Sequence, residues 1–113
     1  MKSRINSLSV VLPTLNEKES LEILIPTILK KLASQEIENY EILIVDDGSE
    51  DGTQLFIEEY NVINKNVKLL QRNDQKSLPK SIFYGIENSI SEYVMWLDAD
   101  GSMDANSVKK LII

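Results

Sequence analysis

Three short segments carry the acidic residues of this chain whose placement points to chemistry. They are Pro13-Thr14-Leu15-Asn16-Glu17, Asp46-Asp47-Gly48-Ser49 and Asp98-Ala99-Asp100. Oxygen donors are what they offer, because the 113-residue chain has no histidine and no cysteine. Zinc sites of the usual Cys/His kind, thiol and imidazole nucleophiles and disulfides are thereby excluded. Carboxylates brought close together repel and raise each other's pKa unless a cation sits among them, so convergence of these segments would call for a metal. Oxygen-only ligands favour magnesium or manganese, which keep coordination positions open for substrate phosphates. Asp98 and Asp100 are two apart on an extended segment, which projects both side chains the same way and lets them share one ion.

Convergence depends on the elements that carry these segments. Leu8 to Leu12 is a short apolar run ending at Pro13, the pattern of a buried strand meeting a loop. Tyr40 to Val45 is apolar enough for a strand covered on both faces and ends in the turn signal Asp46-Asp47-Gly48-Ser49. Val67 to Leu70 reads as a third strand and Tyr93 to Leu97 as a fourth, with Met95 and Trp96 as core residues. Between them, Glu19 to Lys31 is a helix carrying Leu21, Leu24, Ile25, Ile28 and Leu32 at helical spacing, with Pro26 inside it. A second helix opens near Gly52 or Thr53, with Asp51 available as a cap, and turns Leu55, Phe56 and Tyr60 toward the sheet. A third begins at Leu78 and Pro79, with Ile82, Ile86 and Ile90 repeating every four residues, and a last one starts near Ala105.

Strands alternating with helices predict an α/β fold: a Rossmann-like, mostly parallel sheet with right-handed crossovers and helices on both faces. Every strand of such a sheet delivers its carboxyl end to one edge, where ligands bind at the topological switch point. The three acidic loops would then gather five carboxylates there.

Composition sets the outer bounds. With 42% hydrophobic residues the chain can build a core, and 12 basic against 18 acidic residues leave a net charge of −6. That charge argues against a nucleic-acid binder, which needs a basic stripe, and requires an anionic ligand to bring a cation. No stretch approaches the roughly 20 apolar residues of a membrane span, so a soluble segment is expected. The apolar ending Leu111-Ile112-Ile113 leads us to expect the first part of something longer.

Blander and competing readings stand beside these. Gly48, Asp51 and Gly52 are explained by turn and cap chemistry, and Asn16 and Glu17 read equally as a helix start. The stretch from Asp98 departs from a calcium-hand loop, having Met103 at its sixth place and Lys109 at its twelfth. Dinucleotide and P-loop glycine patterns are absent. An aspartate-based phospho-receiver or phosphatase-like domain is the alternative of a different class, and a non-catalytic truncated remnant a third.

Taken in order, Val10-Val11-Leu12-Pro13-Thr14-Leu15-Asn16-Glu17, Val45-Asp46-Asp47-Gly48-Ser49-Glu50-Asp51-Gly52-Thr53 and Trp96-Leu97-Asp98-Ala99-Asp100 closely resemble the family 2 glycosyltransferases of GT-A fold. The nearest subgroup is similar to the dolichyl- or polyprenyl-phosphate sugar transferases. The resemblance implies that residues 1–113 are the N-terminal nucleotide-sugar-binding part of such a domain, using a GDP- or UDP-hexose. It places Pro13, Leu15, Glu17 and Asp46 around base and ribose, with Asp47 beside them, and matches Asp98, Ala99 and Asp100 to the family's Asp-x-Asp motif. Asp98, Asp100 and Ser102 would hold Mg2+ or Mn2+. It further implies transfer with inversion to an acceptor such as a polyprenyl phosphate, at the cytoplasm or the cytoplasmic face of a membrane, with any membrane association arising from a C-terminal part not present here. No catalytic base can be named. Leu15 stands where many members have an aromatic residue. The loop Asp74-Gln75-Lys76-Ser77-Leu78-Pro79 lacks the glycines common there and inherits no binding role. Lys76 reads there as a solvated lysine, with a phosphate contact as the alternative.

Overall fold

A computed structural model of the protein describes residues 6–99. Four strands, β1 (Ser7–Thr14), β2 (Asn39–Asp46), β3 (Val67–Gln71) and β4 (Tyr93–Trp96), alternate with three helices, α1 (Lys18–Ser34), α2 (Thr53–Ile63) and α3 (Leu78–Glu87). All strand pairs are parallel, in the order β3-β2-β1-β4. The chain steps outward from β1 to β3, then returns to the other side of β1. That reversal puts the switch point between β1 and β4, as in the first half of a Rossmann sheet.

The period-2 alternation of the strands sends residues to two different cores. On one face Leu8, Val10 and Leu12 of β1 and Ile42 and Ile44 of β2 pack with Leu21, Leu24, Ile25, Ile28 and Leu32 of α1 and Ile57 of α2. On the other, Val11, Leu43 and Val45 form a smaller cluster with Leu70. Here α3 lies over β1 and β2. It comes so close that a Cβ at Gly85 would collide with Val11 Cγ1. Helices on both faces are therefore observed, as the alternation of elements predicts.

Several local expectations differ from the structure. β1 continues through Pro13 to Thr14, and α1 runs unbroken past Pro26, which is exposed and so loses its N–H on the solvent side. In α2, Leu55 is 61% exposed while Ile57 is fully buried, because the helix turns Thr53 and Ile57 to the sheet. The isoleucine repeat of α3 misleads more strongly. Ile86 and Ile90 are exposed, and the buried stripe is Ser81 and Gly85, small residues that let the helix seat directly on Val11. Trp96 is 42% exposed rather than core, since α3 sits over β1 and β2 and leaves that face of β4 uncovered among the described residues. The helix expected near Ala105 lies outside the described residues.

Candidate functional site

The carboxyl ends of β1, β2 and β4 do meet at one edge, and the first two loops are knitted together there. Asn16 N donates to Ser49 Oγ at 2.8 Å, Glu50 N donates to Asn16 Oδ1 at 2.7 Å, and Lys18 N donates to Asp51 Oδ2 at 3.0 Å. Asn16 occupies the left-handed region at φ 54°, which asparagine tolerates better than most residues. This conformation turns Leu15 and Glu17 to the cleft described below. Asp51 also accepts from Thr53 N at 3.0 Å in an Asx-type turn ahead of α2, whose cap position is Gly52 in the left-handed region at φ 91° with no side-chain bond.

The adjacent aspartates at the end of β2 do different work. Asp46 is fully buried, and its Oδ2 accepts from Gly48 N (3.2 Å), Ser49 N (3.1 Å) and Gln54 Nε2 (2.7 Å), while the Ser49 hydroxyl donates to Oδ1. Both oxygens are engaged inside the turn, which Gly48 closes at φ 106°. Asp47 faces the other way. Its Oδ1 is paired with Arg72 Nη1, and its Oδ2 accepts from Ser77 N at 2.8 Å. Arg72 in turn donates to Ser81 Oγ at 3.3 Å and to Gln75 O at 3.2 Å. The side chains of this pair are only 6% and 8% exposed. Burial of that degree is tolerated because nearly every polar atom has a partner.

A cleft of about 290 Å³ opens beside this pair. Pro13, Thr14, Leu15 and Glu17 line it from the end of β1 and the loop after it, Asp47 from just past β2, Lys76 and Ser77 from the loop before α3, Leu78 and Ser81 from the first turn of α3, and Asp98 and Ala99 from just past β4. The structure thus gathers Pro13, Leu15, Glu17, Asp47, Asp98 and Ala99 around one space. Asp46 lies behind the wall, held by its own turn. Asp100 and Ser102 lie outside the described residues.

Residues that the sequence reading passed over support the wall from behind. Arg72 is the main one, and strand register was the signal that could have found it. The pairing of Asp46 with Gln71 across β2 and β3 places the next residues, Asp47 and Arg72, side by side. Their pairing changes the electrostatic argument for a metal. Arg72 supplies the cation that Asp47 needs, and backbone amides satisfy Asp46, so those two acids do not themselves demand an ion. Among the described residues no group of three or more acidic side chains is placed to hold one. Asp98 is different. Its carboxylate has no hydrogen-bond partner among the described residues and borders the cleft, a hard oxygen donor of the kind Mg2+ or Mn2+ takes.

Comparison with known proteins agrees with this arrangement. The model of the family described as glycosyl transferase family 2 matches residues 9–112. The undecaprenyl-phosphate 4-deoxy-4-formamido-L-arabinose transferase of Proteus mirabilis is 33% identical over 110 residues, covering 96% of this chain and 33% of its own length. The dolichol-phosphate mannosyltransferase of Pyrococcus furiosus is 34% identical over 104 residues, covering 92% of this chain and 28% of its own. The chain therefore spans about a third of the length of the curated relatives it matches. Among solved structures, S. aureus TarS in complex with UDP-GlcNAc superposes with a TM-score of 0.67 at 26% identity, over 98% of this chain and 30% of that one. The mannosyltransferase PcManGT from Pyrobaculum calidifontis, in complex with GDP-Man and Mn2+, superposes with a TM-score of 0.70 over 100% of this chain and 33% of that one. At 22% identity it shows the fold alone. With the parallel sheet, the switch-point cleft and a family match running from β1 past β4, the chain belongs to glycosyl transferase family 2 and has the GT-A fold.

Proposed function

We propose that residues 1–113 form the nucleotide-sugar-binding part of a metal-dependent glycosyltransferase, which moves a hexose from a GDP- or UDP-linked donor to a polyprenyl phosphate with inversion. The observation that carries this reading is the single cleft at the β1/β4 switch point where Pro13, Leu15, Glu17, Asp47 and Asp98 meet. The named relatives act on undecaprenyl- and dolichol-phosphate, and the neighbouring structures were solved with GDP-Man, UDP-GlcNAc and Mn2+, which supports the choice of donor, acceptor and metal.

In this reading the Pro13–Glu17 segment and Asp47 receive base and ribose. Asp46 acts indirectly, by holding the turn that presents Asp47. Asp98, with Asp100 and Ser102, would hold Mg2+ or Mn2+. When bound, the ion neutralises the charge that develops on the departing nucleoside diphosphate. The bond from the anomeric carbon to the diphosphate oxygen breaks as an acceptor phosphate oxygen bonds from the opposite face, and the bond electrons leave with the nucleotide. An acceptor already carrying an anionic oxygen needs little from a general base.

Sheet order also weighs against the phospho-receiver alternative. Such a domain of flavodoxin-like order would place β1 between β2 and β3, whereas β1 here lies between β2 and β4. Asp46, moreover, has no free oxygen to accept a phosphoryl group. Thermal unfolding with UDP or GDP, each with Mn2+ or with EDTA, tests the proposal, since a ligand that binds only the native state raises its stability. A rise in Tm for one nucleotide that requires Mn2+ is expected. Indifference to both nucleotides in the presence of metal would overturn it.

A further inference from the structure

Among the described residues the cleft wall carries three carboxylates, from Glu17, Asp47 and Asp98, and one ammonium, that of Lys76. Arg72 lies behind the wall and is consumed by Asp47. Lys76 forms no hydrogen bond or ion pair among the described residues, although acidic groups share its cleft. Solvated lysines of this kind are ordinary when their backbone is loose, but this one is held on both sides. Gln75 O accepts from Arg72 Nη2 at 3.2 Å, and Ser77 N donates to Asp47 Oδ2 at 2.8 Å. The buried Arg72–Asp47 pair therefore clamps the residue before Lys76 and the residue after it. The stem is placed too: Lys76 Cε passes 3.7 Å from where a Cβ would stand on Gly48, so the side chain lies across the β2–α2 turn.

We propose that Lys76 is a donor-binding residue whose ammonium meets the diphosphate of the nucleotide sugar. The inference rests on the nucleotide-sugar reading above and adds a phosphate ligand supplied by the protein itself. A diphosphate entering a wall of three carboxylates meets repulsion that one divalent ion only partly offsets. Lys76 is the cation already positioned to reduce it, presented by the loop just before α3. The clamp makes its use inexpensive, because the backbone around the side chain is ordered before the ligand arrives.

Titration calorimetry in Mn2+ with wild type, Lys76→Ala and Lys76→Arg tests this, comparing UDP and GDP with the corresponding nucleosides. Lys76 is exposed, so neither substitution disturbs the core. The expected result is that Lys76→Ala weakens diphosphate binding by about tenfold, the scale of one charge-assisted contact, leaves nucleoside binding unchanged, and is largely rescued by Lys76→Arg. Binding by the wild type with equal diphosphate affinity in Lys76→Ala would overturn this inference and leave the nucleotide reading standing. A wild type that binds neither diphosphate overturns both.

Discussion

Glu41 near the start of β2 and Asp47 just past its end are two versions of one device. Each is a buried carboxylate paired with a base supplied from β3 or just beyond it, Lys68 for Glu41 and Arg72 for Asp47. Each also accepts a backbone N–H from an end of α3, Ile90 N at 2.9 Å for Glu41 and Ser77 N at 2.8 Å for Asp47. The helix is thereby pinned at both ends to the strand it covers. The difference lies in what else the two acids face. Glu41 is held by the Ser9 hydroxyl (2.6 Å), Ile90 and Lys68, and the pocket of about 230 Å³ that it borders at the amino edge contains Lys68, the cation already paired with it, and none of the three acidic segments. Asp47 borders a cleft, because every βα loop of a parallel sheet opens on the carboxyl edge. The same chemistry serves as a fastener at one edge and as part of a candidate binding wall at the other.

The comparison can be broken most sharply at Asp47. Its removal in Asp47→Ala strands a guanidinium that is 6% exposed. Loss of one partner from a buried pair costs about 3–5 kcal/mol, and urea titration should show a midpoint far below wild type or no cooperative transition. Glu41→Ala should cost less, about 1–3 kcal/mol, because Lys68 is 40% exposed and its ammonium can turn to water.

That pair also carries a pH signature. Burial pushes Glu41 up, but the Ser9 hydroxyl, the Ile90 N–H and Lys68 together outweigh it and hold its pKa below the ordinary 4.5. A carboxylate whose pKa falls on folding adds stability above its unfolded value and loses it as pH drops through the folded value. Wild type should therefore lose stability more steeply than Glu41→Gln below about pH 4.5, in denaturation curves collected across that range.

A smaller effect is expected midway between the two fasteners. Gly85→Ala drives a methyl into Val11, which is fully buried and cannot move aside. Overpacking of this kind costs about 1–3 kcal/mol. With both ends of α3 still tied, the variant should stay folded and cooperative, with a lower Tm by calorimetry. If Gly85→Ala proved worse than Asp47→Ala, the helix would be held by its middle rather than its ends.

How much of this could be read from residue types depends on whether the cause was local. β2 was legible because an uninterrupted apolar run ending in Asp46-Asp47-Gly48 has few other solutions, and the convergence of loops followed from parallel topology. The burial of α3 was not legible. Its isoleucines repeat at helical spacing, yet Ser81 and Gly85 face the sheet, since closeness to Val11 was worth more than apolar area. Trp96 misled for a related reason, as its burial depends on what lies over β4 and not on its own hydrophobicity. Asp46 and Asp47 could not be told apart by sequence. The turn that saturates Asp46 is local, but the Arg72 that claims Asp47 arrives from 25 positions away through strand register.

The central claim is that the carboxyl edge, not the amino edge, holds a metal-bound nucleotide diphosphate through Asp98. Paramagnetic broadening of backbone amide signals by Mn2+ in the presence of UDP or GDP reads this directly. The account predicts selective loss of the signals of Asp98, Ala99, Asp47 and Ser77, with Glu41 and Ile90 unaffected, and recovery of all of them in Asp98→Asn. Broadening centred on Glu41 and Ile90, or a pattern that Asp98→Asn leaves unchanged, would contradict it.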